Sequence, residues 1–371
     1  MRKTLITTLA LVCAMSLSSF AQGGYKFTTV VTNKTTPIKD QASTGTCWSF
    51  ATTSFMESEL IRMGKGEYDL SEMFIVRQKY INQMKDNFLR EGKGSVSQGS
   101  LSHTWMNAFR QVGIVPEEVY HGINYNSESH NHNELAAMVA GLSRTGLSMK
   151  KRGPEFDKVV NAMFDIYLGE LPQTFTYKGK QYTAQTFAQS LGLNMDDYVE
   201  ITSFSHKPYY SQMSVEVPDN WEHERQYNVP LDEMIEVMDY ALKNGYTIDW
   251  DGDVSEKGFS HRNCVAINPQ TPSEEVFKFQ APCPEINVTQ EVRQEGYESF
   301  VTTDDHLMHI VGISKDQNGT KYYITKNSWG DSNAQGGYLN MSESYVRAKT
   351  IYVMVHKDAL PKDLRKKLGI Q

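Results

Sequence analysis

Clusters of positive charge are missing from this chain. Lys and Arg number 37 against 44 Asp and Glu, for a net charge of −7, and the basic residues are scattered. That balance excludes a nucleic-acid-binding surface of the usual basic kind. The short run Arg365-Lys366-Lys367 reads as a solvated helix face. Long apolar runs are missing too: the most apolar stretch, residues 5–17, falls short of the ~20 residues that span a bilayer as a stable anchor. Internal repeats, low-complexity tracts and Gly/Ser-rich linkers are absent, which argues against a solenoid and against independent domains on a flexible tether. Cysteine is scarce, with 4 in 371 residues.

What is present begins with a leader. Arg2 and Lys3 precede the apolar stretch, and Ser19-Phe20-Ala21 ends it with small residues. This is the order of a cleavable signal peptide over residues 1–21 and implies export, to a periplasm or beyond. The competing reading is a buried N-terminal helix. Cys13 is a poor lipid-attachment site, because Val12 precedes it and the apolar run continues past it. Cleavage would remove two positive charges and no acid, leaving a more acidic chain. It would also leave Cys47, Cys264 and Cys283, an odd number that guarantees at least one free thiol. Export permits a Cys264–Cys283 disulfide, and the sequence leaves that pairing open.

The most informative segment is Gln41-Ala42-Ser43-Thr44-Gly45-Thr46-Cys47-Trp48-Ser49-Phe50. Phe50, Ala51, Phe55, Leu60 and Ile61 recur at mixed three- and four-residue spacing, with Gly64 as a stop signal, so Cys47 is expected to open a helix. A helix N-terminus carries partial positive charge and free N–H groups, which favour a thiolate. A lone Cys-Trp pair is more often structural; two later segments change that balance. Asp304-Asp305-His306-Leu307-Met308-His309 enters an apolar, strand-like run, and Lys326-Asn327-Ser328-Trp329-Gly330 follows a second one. A thiol nucleophile needs a base, and the base needs a partner on its other nitrogen. Cys47, His306 and Asn327 supply these parts, Gln41 an oxyanion donor, and Trp329 a cover over the histidine–asparagine bond. His309 competes with His306. Strand positions three apart point to opposite faces, so one of the two is expected to meet Cys47 and the other to serve the far face.

On these motifs the chain resembles the papain-like cysteine peptidases, and within them the bleomycin hydrolase / aminopeptidase C branch. Leu70-Ser71-Glu72, Gln98-Gly99-Ser100, Asp165-Ile166-Tyr167-Leu168-Gly169-Glu170-Leu171-Pro172 and Gly336-Gly337-Tyr338-Leu339 extend the resemblance over most of the chain. Thr44 stands where papain itself has a second cysteine, a replacement found in this branch. The resemblance implies an α+β, two-lobed fold, with the cysteine helix in a helical lobe, the histidine and asparagine in a β-rich lobe, and the substrate cleft between. Roughly 260 residues separate Cys47 from His306, against about 130–150 in the papain arrangement. The excess is assigned to an insertion at about residues 121–240 of a peptidase domain covering 22–371, with helix-like pieces at 156–168 and 231–243.

The expected chemistry is peptide hydrolysis through a thioester, with peptides as partners and neither metal nor organic cofactor. Gly99 and Ser100 would offer backbone hydrogen bonds to an extended peptide, with Trp329 beside them. An acyltransferase with the same thioester chemistry, or a silent peptide-binding scaffold, are the rival readings; the latter predicts a broken constellation, and here all four groups are present. His130 and His132 form a His-x-His pair near His121 that reads as a solvated loop in preference to a metal site. His261 and Cys264 fall short of a ligand set. The sequons at Asn33, Asn287, Asn318 and Asn340 are expected by chance in a chain this long. Nothing in the sequence indicates a homo-oligomer. In the branch it resembles, a C-terminal arm enters the cleft and enforces aminopeptidase action. Here only residues 357–371 follow the last strand-like run, and 361–368 read as a short helix, so looser enforcement and some endopeptidase cleavage are expected.

Overall fold

The computed structural model describes residues 24–149 and 151–371; the leader at 1–21 lies outside the described residues. Helix α1, Cys47–Arg62, has fourteen of its sixteen residues buried, from Cys47 to Leu60, and is therefore a central element. Its polar residues are tied down one by one. Thr52 Oγ1 donates to Asp249 Oδ2 at 2.7 Å, Thr53 Oγ1 accepts from Trp105 Nε1 at 2.9 Å, and Glu57 Oε1 accepts the Leu70 N–H at 2.8 Å. The helix stops at Met63, after which Gly64 takes a positive φ of 73°.

Around α1 lie α2, Glu72–Leu89, capped by the Ser71 hydroxyl, and α3, Ser102–Val112. Helices α4, Asn133–Ser148, and α5, Pro154–Leu168, pack on the outer side of α2. Together they form a helical lobe cored by Trp48, Phe55, Ile75, Trp105 and Phe164.

The other lobe is built on an 11-stranded mixed sheet. Its central strand, His306–Lys315, pairs antiparallel with Ile248–Gly252, Lys321–Lys326 and Thr28–Thr32. Alternation along the strand divides its side chains: Leu307 joins the core shared with α1, whereas Met308 and Ile310 join a second core with the helix Leu231–Lys243. These two helices therefore cover opposite faces of the central sheet. The fold is the expected α+β, two-lobed one.

Residues 121–240 do not form a separate body. They supply α4 and α5 to the helical lobe, and the strand Tyr198–Thr202, which pairs with Thr350–His356 in the sheet. The helix-like pieces read at 156–168 and 231–243 are the helices Pro154–Leu168 and Leu231–Lys243.

Candidate active site

Cys47 is the first residue of α1, so its N–H and that of Trp48 belong to the helical turn that has no intrahelical acceptor. The loop before it is closed by short contacts. Thr44 Oγ1 donates to the Gln41 carbonyl at 2.9 Å and meets Thr46 Oγ1 at 2.6 Å, so a hydroxyl takes over the position where papain itself carries its second cysteine. Gly45 N–H donates to Gln98 Oε1 at 2.9 Å, and Trp48 Nε1 donates to the Gln98 carbonyl at 3.0 Å. The Gln41 carboxamide is fixed at both ends: Nε2 donates one hydrogen to the Thr44 carbonyl at 2.8 Å, and Oε1 accepts from Ser328 Oγ at 2.6 Å. The second Nε2 hydrogen remains for a developing oxyanion beside the Cys47 N–H.

His306 opens the central strand and is buried, 4% exposed, as is Cys47 at 8%. Its Nε2 lies 2.8 Å from Asn327 Oδ1. The orientation of that amide is set by its neighbours, because Oδ1 also accepts the Ser328 N–H at 2.8 Å while Nδ2 faces His261 Nδ1 at 3.2 Å. An oxygen facing Nε2 makes Nε2 the protonated nitrogen, which leaves the Nδ1 lone pair to act as base. Trp329 lies over the imidazole, with ring centroids 4.8 Å apart, and His261 packs edge-on against the same indole at 5.2 Å. Asp305, beside His306 in the sequence, turns elsewhere and accepts from Thr303 Oγ1 at 2.9 Å and Ser255 N–H at 3.2 Å.

Burial acts on both reacting groups. It pushes the Cys47 thiol up to about 12, against an opposing Leu307 N–H, and Asp219, Asp251 and Asp304 push in the same direction as burial. It lowers His306 to about 4, partly offset by the Asn327 bond. Burial by itself thus disfavours both the thiolate and the imidazolium. Moving one proton from Sγ to Nδ1 creates an ion pair next to the helix N-terminus, and both the attraction and the helix end offset the burial cost.

Two predicted substrate-side residues are less open than expected. Ser100 is buried, with its hydroxyl accepting from Trp221 Nε1 at 2.8 Å and donating to Thr104 Oγ1 at 2.7 Å. Gly99 is faced by a carboxylate, since a methyl group added there would sit 1.9 Å from Asp219 Oδ2. His309 does not serve the far face as expected: it also turns to α1, where Nδ1 meets Ser54 Oγ at 2.9 Å, seven residues or about two turns beyond Cys47, so distance along the helix and not the strand face keeps it from the thiol. The solvated-loop reading does not describe His130 and His132. His132 is fully buried, and their segment bridges to Ser43, whose N–H donates to the His130 carbonyl at 3.1 Å. Burial lowers both to about 4, so both rings are neutral. Cys264 and Cys283 are both free thiols. Sequence reasoning missed Ser328, His261 and Asp219. Ser328 sits inside the Asn-Ser-Trp motif and was legible as its middle residue; the other two are placed by the fold alone.

The profile of the Peptidase C1-like family matches residues 95–370, a span that holds His306 and Asn327. The chain belongs to the Peptidase C1-like family. Cys47 lies before the matched span, so its role rests on the geometry above. Full-length relatives agree with the family. Aminopeptidase C of Streptococcus thermophilus is 24% identical over 87% of this chain and 81% of its own length. Bleomycin hydrolase of Homo sapiens is 22% identical over 88% and 82%. Among solved structures, PepW from Lactobacillus rhamnosis superposes with a TM-score of 0.70 at 19% identity, covering 92% of this chain and 84% of its own. The fold is shared, and the protein is a cysteine-type peptidase. No helix among the described residues is long and apolar enough to cross a membrane.

Proposed function

We propose that this protein is an exported cysteine aminopeptidase that removes residues from the free N-terminus of peptides through a thioester. The observation that carries the chemistry is the oriented chain Ser328–Asn327–His306 beside a cysteine at a buried helix start. The relatives' printed names, aminopeptidase C and bleomycin hydrolase, support N-terminal action. The basic, apolar and small-residue order of residues 1–21 supports export.

Catalysis follows from the positions. His306 Nδ1 takes the thiol proton and Sγ attacks the scissile carbonyl carbon. The oxyanion is met by the Cys47 N–H and the free Gln41 Nε2 hydrogen, an arrangement in which one donor is worth ~2.7–4 kcal/mol. His306 then gives its proton to the leaving amine as the C–N bond breaks, leaving the acyl group on sulfur. Water enters, loses a proton to Nδ1 and attacks the thioester, releasing the carboxylic acid and restoring the thiol. Each step needs Nε2–H to stay on Asn327, which Ser328 and His261 enforce.

The test is mass-spectrometric analysis of a mixed peptide library digested by the leaderless protein under reducing conditions. Products shortened one residue at a time from the N-terminus are expected. Internal cuts with intact N-termini would sink the aminopeptidase reading, and transfer to an added amine in preference to water would favour acyl transfer. N-terminal sequencing of protein exported by its native host tests the leader, with a mature start near residue 22 expected.

A further inference from the structure

Three carboxylates act electrostatically on Cys47 without an assigned task. Asp219, Asp251 and Asp304 lie close enough to raise its thiol, and they lie close to one another. Asp251 is fully buried, yet neither of its oxygens, nor Asp304 Oδ2, receives an N–H or O–H from any described residue. Burial, and then the neighbouring Asp304, hold the Asp251 carboxyl well above the usual carboxylate range. Asp219 differs in that it has no salt bridge or hydrogen bond among the described residues and it faces a named backbone position. Its Oδ2 and Oδ1 lie 1.9 and 2.8 Å from where a Cβ on Gly99 would be.

Gly99 is tied to the nucleophile through Gln98, whose carbonyl and side chain hold Trp48 and Gly45. The carboxylate is held there by a rigid turn. Asn220 Nδ2 donates to Ser214 Oγ and the Val215 carbonyl at 3.0 Å each, and Trp221 Nε1 anchors to Ser100 Oγ. Lys79 attracts it without forming a salt bridge: Lys79 is buried, donates to the Ser97 carbonyl at 2.6 Å, lies over the Tyr80 ring, and is lowered by burial to about 7 although Asp219 acts to raise it. A half-buried carboxylate without a salt bridge, set where a methyl group on Gly99 would meet it, blocks the path of a longer chain and leaves room for an added cation's charge.

Residues 362–370 lie elsewhere. Leu364 and Leu368 bury in the core behind the central sheet, and Lys367 Nζ pairs with Glu233 Oε1 at 2.9 Å on the helix Leu231–Lys243, on the sheet face opposite α1. The terminal residues are thus docked away from Cys47.

We infer that Asp219 binds the free α-ammonium of the substrate at the Gly99 end of the cleft, so that an internal carboxylate, carried on residues 217–221, limits this enzyme to N-terminal cleavage. The inference rests on the aminopeptidase reading above. The substrate class is peptides with an unblocked first residue; acetylated peptides and those with a residue preceding the cut by more than one position meet the wall. The ammonium also places positive charge among the three acids that disfavour the thiolate, so binding of the correct substrate eases ionisation of Cys47.

The experiment compares kcat/KM of wild type, Asp219→Asn, Asp219→Ala and a chain lacking residues 369–371 on leucyl-aminomethylcoumarin, its N-acetyl counterpart and an N-acetyl-lysyl-leucyl counterpart. Both Asp219 variants are expected to lose roughly 10–150-fold on the free-amine substrate, the range for losing a hydrogen bond to a charged group, while the ratio of free to acetylated turnover collapses. Stoichiometric labelling of Cys47 by an epoxide inhibitor verifies that each variant is folded. The truncation is expected to keep the wild-type ratio. A wild-type ratio retained in both Asp219 variants, or a collapse on truncation, overturns the inference while leaving the aminopeptidase reading intact. Turnover of the N-acetyl-lysyl substrate above the free-amine one overturns it in favour of a basic side-chain pocket. Failure of wild type on the free-amine substrate, with cleavage of acetylated ones, overturns the aminopeptidase reading itself.

Discussion

The two ends of the cleft differ in how their polar atoms are satisfied. At the catalytic end the orienting groups hold one another: Asn327 holds His306, Ser328 and His261 hold Asn327, and Ser328 also holds Gln41. At the Gly99 end Asp219 is half-buried and forms no salt bridge among the described residues, and both oxygens of Asp251 and Oδ2 of Asp304 lack a hydrogen-bond partner there. Buried polar groups are normally satisfied, so the unpartnered oxygens of Asp251 and Asp304 beside the cleft call for an explanation. The difference therefore separates groups that must already be in position for chemistry from groups whose partner is the substrate. It also sets a rule for variants. Changes at the catalytic end should slow every substrate alike, whereas changes at the acidic end should alter the choice between substrates.

The largest effect is expected from Cys47→Ala, which removes the nucleophile and should take hydrolysis of both free-amine and blocked peptides below detection. Circular dichroism and melting temperature should stay close to wild type, because a small side chain suits a helix start. Retained turnover would end the assignment of the nucleophile.

His306→Ala should cost about 10²–10⁴ in kcat, the span of a lost general acid–base. His309→Ala, three residues on, should leave kcat within about tenfold and lower stability by ~1–3 kcal/mol, since it strips a partner from buried Ser54. Equal losses in two folded variants would show that the central strand presents both rings to the thiol.

A smaller loss, about 10²–10³ in kcat, is expected for Gln41→Ala. Ser328→Ala should fall well below that, because Gln41 retains the Thr44 carbonyl at its other end. Kinetics on one free-amine substrate decide it; if the order is reversed, the serine has a more direct role than holding the amide.

The mildest effect is one of pH. Nδ1 acts as a base only on a neutral ring, and burial lowers His306 from 6.5 to about 4. As pH falls, kcat/KM should therefore hold through the ordinary histidine range and decline only as pH approaches about 4. The profile must be measured on an acetylated and a free-amine substrate, because only the second also reports the carboxylates. An acid limb near 6.5 on both would show that the imidazole is better solvated than its burial implies.

Much of this was written in the chain. The helix at Cys47 followed from apolar spacing and the Gly64 stop, and the strand at His306 from an unbroken apolar run, because both signals are local and the core needs them on the covered faces. Cys47, Gln41, His306 and Asn327 were legible because short motifs keep a chemical group next to the element that aims it. The sequence alone left His309 and His306 as rivals, and their partners separate them: His306 meets Asn327, whereas His309 meets Ser54 two turns along α1. It also misjudged His130 and His132, since a polar composition does not reveal that a loop is folded inward to brace Ser43. The openness of Gly99 and the placement of residues 362–370 were likewise beyond its reach. Asp219 is some 120 residues from Gly99 in sequence, and no periodicity or motif records which loop of an insertion closes over which turn. Local geometry is set by neighbours along the chain, so the sequence determined the elements and the reacting groups. The walls of the cleft are set by contacts between segments distant in the chain, and only the tertiary packing decided them.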